Sequence, residues 1–199
     1  MEQPIGLVVC GGQSTRMGKD KSLLDYHGLA QRYYLYDLLQ SLCKKVFLSC
    51  NSEQAGGIEA GYEFIADHEK YVNTGPMAAL LTAFEQYPND PLFVIACDHP
   101  FIRKEDLLQL LNSRNAIDAA VSFFNETGNV YEPLLSVYET NIVATVLENF
   151  NRGQYSLQSV LKQVNAVKVY PQEIQRIRSI DTMDDHRKVM KEIKRATAE

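Results

Sequence analysis

The chain has 199 residues, 45% hydrophobic and 23% charged, with a formal net charge of −5. That length suits one domain over residues 1–199 with a full core. The acidic balance argues against a general nucleic-acid binder, which carries an excess of Lys and Arg, and no apolar run approaches the roughly 20 residues that span a bilayer.

In chain order, Met1 to Pro4 shows no basic-then-apolar leader, so a cytoplasmic protein is expected. Ile5 to Cys10 is apolar on both parities, the pattern of a strand covered on both faces. Ser22 to His27 reads as a short extended piece. Tyr34, Leu35, Leu38, Leu39 and Leu42 mark one face of a helix. Val46 to Cys50 is a second strand, and Ser52 to Gly61 a polar connection with room for one helical turn. Tyr62 to Ala66 is a third strand. Pro76 opens a helix whose buried face carries Met77, Leu80, Leu81 and Phe84. Leu92 to Cys97 is a fully apolar strand that stops at Asp98.

Lys104 to Leu111 is helical. Ile117 to Phe124 and Leu134 to Tyr138 are strands joined through a hairpin-like turn at 125–129, the second of them antiparallel. Ile142 to Phe150 is a helix, and Ser156 caps a shorter one ending at Val164. Val167 to Tyr170 and Arg178 to Ile180 are short extended pieces. Thr182 caps a final helix from Met183 to about Ala196, acidic first and basic later, as the helix dipole prefers. Strands alternating with helices predict an α/β three-layer sandwich around a mostly parallel, mixed sheet. Cys10, Cys43, Cys50 and Cys97 form no Cys-x-x-Cys pair and lie in or beside apolar segments, so they read as buried thiols. The histidines show no metal-cluster spacing; His27 and His186 read as surface residues.

One stretch stands out chemically. Gly11 to Lys21 holds three glycines, Ser14, Thr15, Arg16, Lys19 and Lys21 directly after the first strand. Glycine lets main-chain N–H groups approach an anion, and the cations supply charge. The bland alternative is a surface turn. A P-loop is excluded, because five residues separate Gly12 from Gly18 and Asp20 follows Lys19. The dinucleotide fingerprint Gly-x-Gly-x-x-Gly is absent as well. In open α/β sheets ligands sit beyond the carboxyl ends of strands. The first strand ends at Gly11-Gly12, the third at Asp67 and the fourth at Asp98. Asp98 is placed to hold Mg²⁺ on triphosphate oxygens, or to act as a turn or capping aspartate. Asp67 carries the same two readings, as a nucleoside contact or a turn residue.

The run Gly11-Gly12-Gln13-Ser14-Thr15-Arg16-Met17-Gly18-Lys19-Asp20-Lys21 resembles the signature of nucleotidyltransferases, in the variant of MobA-type molybdenum cofactor guanylyltransferases. Gly75-Pro76-Met77-Ala78, Cys97-Asp98-His99-Pro100, Glu132-Pro133-Leu134 and Ile180-Asp181-Thr182 are similar to later segments of that family. The sequence departs from the pattern at Ala79 (usually Gly), at Ser49 (often Asn), at Ser179 and Asp181 (both Asn) and at Met183 (Pro). The resemblance implies a Rossmann-like fold of the nucleotide-diphospho-sugar transferase type and transfer of GMP from GTP to the phosphate of molybdopterin, with release of pyrophosphate. It implies Arg16, Lys21 and Asp98 as catalytic residues and Asp98 as the Mg²⁺ ligand. It places the nucleotide on Val9, Cys10, Gly11, Gly12, Lys21, Ser49, Asp67 and Asp98, and expects transient contact with cofactor-delivery or acceptor proteins. Arg152, Gly153 and Ser156 are candidates to meet the incoming phosphate, or else terminate and cap helices. The rival readings are a cytidylyltransferase for the same cofactor, a sugar-phosphate nucleotidyltransferase and a non-catalytic nucleotide-binding protein.

Overall fold

The computed structural model describes residues 1–11 and 20–196, with side chains to residue 193. Among the described residues, seven strands form one sheet: β1 (Ile5–Val9), β2 (Lys45–Cys50), β3 (Phe64–Ala66), β4 (Leu92–Ala96), β5 (Ala120–Asn125), β6 (Val130–Tyr138) and β7 (Val167–Val169). Their order is β3-β2-β1-β4-β6-β5-β7. β1, β2, β3 and β4 are parallel, and β6 runs against both β4 and β5, while β7 again lies parallel to β5. Only β6 points the other way, which is the mixed, mostly parallel sheet expected.

The all-apolar strands are buried on both faces because helices cover both. Along β1, Ile5, Leu7 and Val9 join one core cluster while Val8 and Cys10 join the other, the two-residue period of a strand. On one face lie α1 (Gln31–Gln40), the short α2 (Ser52–Ala55) and α4 (Lys104–Asn112); on the other lie α3 (Pro76–Gln86), α5 (Val143–Asn151) and α6 (Leu157–Gln163). Gly6 sets how closely α1 can approach: a Cβ there would meet Cys43 Sγ and Val46 Cγ2 at 3.1 Å and Leu39 Cδ1 at 3.2 Å. α3 carries Pro76 in its first turn behind Gly75, whose φ of 62° is a left-handed conformation that glycine tolerates. The last helix, α7 (Met183–Ala196), adds a third small cluster, in which Val189 packs with Tyr26 and Ile180.

Three segments differ from the sequence expectation for local reasons. Lys21–Leu23 is a 3-10 turn rather than an extended piece, because the Asp20 carboxylate accepts from the N–H (2.9 Å) and Oγ (2.7 Å) of Ser22. β5 starts at Ala120, not Ile117: the Asn115 side chain accepts from the N–H groups of Ile117 and Asp118 and turns the chain, leaving Ile117 87% exposed. β6 starts four residues earlier than Leu134, running through Pro133 from Val130. Its pairing with β5 shifts between Ser122 and Phe124, so residues 132–135 face only Phe123. A proline fits at such a bulge because the ladder is already broken there. The carbonyls that the bulge frees are satisfied by buried hydroxyls. Glu132 O accepts from Ser122 Oγ (3.1 Å) and Ser136 Oγ (2.8 Å), and Pro133 O accepts from Tyr138 Oη (2.8 Å).

Candidate nucleotide site

The chain runs outward from β1 to β2 and β3, then crosses back to β4 on the other side of β1. That reversal makes the carboxyl ends of β1 and β4 the switch point of the sheet, the place where open α/β sheets hold their ligands. Val9 pairs with Ala96, so Cys10 and Cys97 follow side by side, with their thiols 3.7 Å apart, and then Gly11 and Asp98. All four cysteines are free and buried, as expected. Burial, then the neighbouring Cys10 thiol, pushes the Cys97 pKa well up, so Cys97 acts as apolar packing.

Asp98 stands out for one buried oxygen. Its Oδ1 is buried and makes no hydrogen bond among the described residues. His99 Nε2 lies 3.4 Å from that oxygen, beyond a well-formed hydrogen bond. His99 Nδ1 sits 3.0 Å from Ile177 O, which can only accept, so this nitrogen is assigned the proton. The Asp98 carbonyl accepts from Ile180 N–H at 2.8 Å, which ties the C-terminal segment across the end of β4. Besides Cys97, two further side chains feel the Asp98 charge. Tyr26 is pushed up by burial and then by Asp98. Glu132 is pushed up to about 7 by the same two causes in the same order. Leu135 pairs with Ile95, which sets Leu134 opposite Ala96, so Glu132 and Pro133 run past the end of β4, towards Asp98. Glu132 thus joins the site as part of the similar Glu-Pro-Leu segment, although sequence reasoning assigned it no role there.

Asp67 follows β3, and burial raises its pKa against the opposing effect of a hydrogen bond from Ser49 Oγ (3.1 Å). Its Oδ2 lies 3.8 Å from where a Cβ on Gly11 would stand, so Asp67 and Gly11 are neighbours at the strand ends. Ser49 is only 2% exposed, and its carbonyl accepts from Cys10 N–H (2.9 Å). Its hydroxyl is therefore engaged by Asp67, which it helps to orient. Val9 O accepts from Cys97 N–H, and Cys10 O accepts from Gln54 Nε2 at 3.3 Å, so these backbone groups already serve the sheet and the loop base.

Gln54 is a second residue to which the sequence assigned no role. Its Oε1 takes Asn51 N–H (3.2 Å) in a capping box, which frees Nε2 to bridge Cys10 O and Asp20 Oδ2 (2.8 Å). One amide thus pins both flanks of the Gly11–Asp20 stretch. The Asn51-x-x-Gln54 spacing is a legible capping signal, but its bridge to Asp20 is a tertiary contact. Lys21, just past that stretch, pairs with Asp181 Oδ1 at 2.7 Å. Gly12 and Arg16 lie outside the described residues. By the alternation of strand and helix, the 152–156 turn lies at this same end of the sheet. Its side chains are engaged locally: Arg152 pairs with Glu148 (2.6 Å), Gly153 takes a φ of 71° past the helix end, and Ser156 caps α6.

Residues 6–169 match the MobA-like NTP transferase domain. The chain belongs to that family. Among MobA-like relatives, a molybdenum cofactor biosynthesis bifunctional protein of Synechocystis is 30% identical over 182 residues, covering 91% of this chain and 52% of that protein, so the chain spans about half its length. A molybdenum cofactor guanylyltransferase of Pseudomonas putida is 26% identical over 156 residues, covering 78% of this chain and 80% of that one. A crystal structure of molybdopterin-guanine dinucleotide biosynthesis protein A from Archaeoglobus fulgidus superposes with a TM-score of 0.79 at 23% identity, covering 96% of this chain and 99% of that one. The last of these, below a quarter identical, supports the fold alone. This MobA-like chain is a member of a nucleotidyltransferase family, and no helix among its described residues is long and apolar enough to cross a membrane.

Proposed function

We propose that this chain transfers GMP from GTP to the terminal phosphate of molybdopterin. A phosphate oxygen of molybdopterin attacks the α-phosphorus of GTP, the bond from that phosphorus to the β-phosphate oxygen breaks, and pyrophosphate leaves. The single observation that carries the reading is the meeting of the Gly11 loop base and Asp98 at the β1–β4 switch point, in a chain whose relatives include molybdenum cofactor guanylyltransferases.

Phosphoryl chemistry of this kind asks for positioning and charge neutralisation rather than a covalent nucleophile. Lys21 supplies positive charge to the leaving phosphates, and Arg16 is assigned the same work on the attacked group. Gly11 and Gly12 bring backbone N–H groups to the triphosphate. Asp67, held by Ser49, is assigned to accept from the nucleoside. Val9, Cys10 and Gln54 hold the loop base that carries those groups.

Mg²⁺ is the cation that this site suits. The support is the orphaned, buried Oδ1 of Asp98, a hard oxygen with no donor among the described residues. When bound, the ion neutralises charge on the phosphate oxygens. Asp98 would hold it, and Glu132 lies close enough to sense the Asp98 charge.

Pyrophosphate release measured with molybdopterin and each nucleoside triphosphate tests the reading. Release with GTP and Mg²⁺ is expected. Activity with CTP and none with GTP would replace the guanylyl assignment by the cytidylyl one.

A further inference from the structure

The Lys21–Asp181 pair joins residues 160 positions apart, and both partners are anchored. On one side, Asp20 caps the 3-10 turn that carries Lys21 and is itself gripped by Gln54. On the other, Ile180 is buried against Tyr26 and Val189, and its N–H is bonded to Asp98 O. His99 Nδ1 holds Ile177 O three residues earlier. The ion pair therefore closes across the carboxyl end of β4, beside Asp98. Its two members are unequally hydrated: the Lys21 side chain is 21% exposed and that of Asp181 is 59% exposed. The lysine is the member that needs a counter-ion, and the aspartate is the one that can return to water at little cost.

We propose that Asp181 is the resident counter-ion of Lys21, so that a nucleoside triphosphate enters by displacing a carboxylate from that lysine. This rests on the reading of Lys21 as a phosphate-binding residue. The exchange has two consequences. Every triphosphate gives up part of its attraction to Lys21, because an ion pair must first open. The displaced carboxylate then stays beside the phosphates and repels them. That repulsion is strongest for free nucleotide and weaker for its divalent-metal complex, which carries less negative charge. Asp181 thus lowers affinity for metal-free triphosphate and biases the site towards the metal complex. A neutral amide at this position keeps the hydrogen-bonding shape without the charge.

The test is equilibrium binding of GTP to the full chain by titration calorimetry, once in EDTA and once with Mg²⁺. Asp181→Asn is expected to bind metal-free GTP about threefold to tenfold more tightly than the parent, with a smaller gain in Mg²⁺. Asp181→Ser should behave likewise, which separates charge from amide geometry. Asp184→Asn, which removes an exposed carboxylate paired with Arg187 on α7, should bind as the parent does. Lys21→Met should weaken binding in both conditions. If both Asp181 variants bind metal-free GTP no more tightly while Lys21→Met weakens it, the counter-ion role is wrong and the phosphate role of Lys21 stands. If Lys21→Met binds like the parent, both readings fall.

Discussion

Glu132→Gln should stabilise the protein at alkaline pH and do nothing at acid pH. The Glu132 carboxyl is raised from its ordinary value of 4.5 to about 7, first by burial and then by the charge of Asp98. The folded state therefore keeps a proton that the unfolded chain has already lost. Its stabilising contribution is complete below about pH 4.5 and is lost as pH rises through about 7. A shift of that size on a fully sealed group would correspond to about 3 kcal/mol. Glu132 is only half-buried, and solvent screening brings the expected figure down to about 1 kcal/mol. Glutamine keeps the shape and never ionises. The backbone carbonyl of residue 132, held by Ser122 and Ser136, is untouched by the change. Urea unfolding in EDTA at pH 8 should show the variant more stable by about 1 kcal/mol, and a thermal melt should show a midpoint higher by about 2–4 °C. At pH 4.5 the two curves should coincide. An equal gain at both pH values would assign the effect to packing and refute the electrostatic argument, as would no gain at pH 8.

Asp98→Asn should lower Mg²⁺-dependent pyrophosphate release by about a hundredfold or more while the protein remains folded; unchanged turnover would remove the metal assignment. Gln54→Leu breaks the bridge between Cys10 O and Asp20, together with the Asn51 capping bond. It should cost about 1–2 kcal/mol in thermal unfolding and weaken GTP binding seen by calorimetry, because both flanks of the loop are released. Glu139→Gln removes the charge opposite Arg114, whose Nε and Nη2 meet the carboxylate at 2.6 and 3.1 Å with the arginine side chain only 5% exposed. Loss of about 3 kcal/mol is expected in urea unfolding, and the double change Arg114→Met with Glu139→Leu should recover much of it.

What could be read from the sequence was what is local. β1 and β4 announced themselves as apolar runs, and the rule that ligands gather at strand ends drew attention to Gly11, Asp67 and Asp98 before any strand order was known. The caps at Ser156 and Thr182 were equally plain, since each side chain accepts from an N–H three residues on. Ile117 misled, because an apolar residue beside a strand looks like part of it until the Asn115 turn is seen. The roles of Glu132, Gln54 and Asp181 were hidden for a common reason: each depends on a partner reached only through the folded topology. Glu132 needs the β4–β6 pairing and the bulge. Gln54 needs the loop to return, and Asp181 needs the C-terminal segment laid across β4. Pro133 was a readable hint, since a proline inside an apolar run marks an edge or a bulge.

The lone reversed strand has an architectural consequence. β5 ends at Asn125 and β6 begins at Val130, so the tip of their hairpin stands at the same rim as the nucleotide crevice. The tip is closed locally, by Asn125 Oδ1 accepting from Gly128 N–H and by a left-handed Asn129. Its length is therefore free to vary without moving the bulge, the buried serines or the register with β4. Grafting residues there would extend the rim at the carboxyl end of the sheet and leave the strand pairing alone. The β5–β6 tip is thus a surface turn that can change length far in sequence from the glycine-rich segment and independently of the strands that carry Asp98 and Glu132.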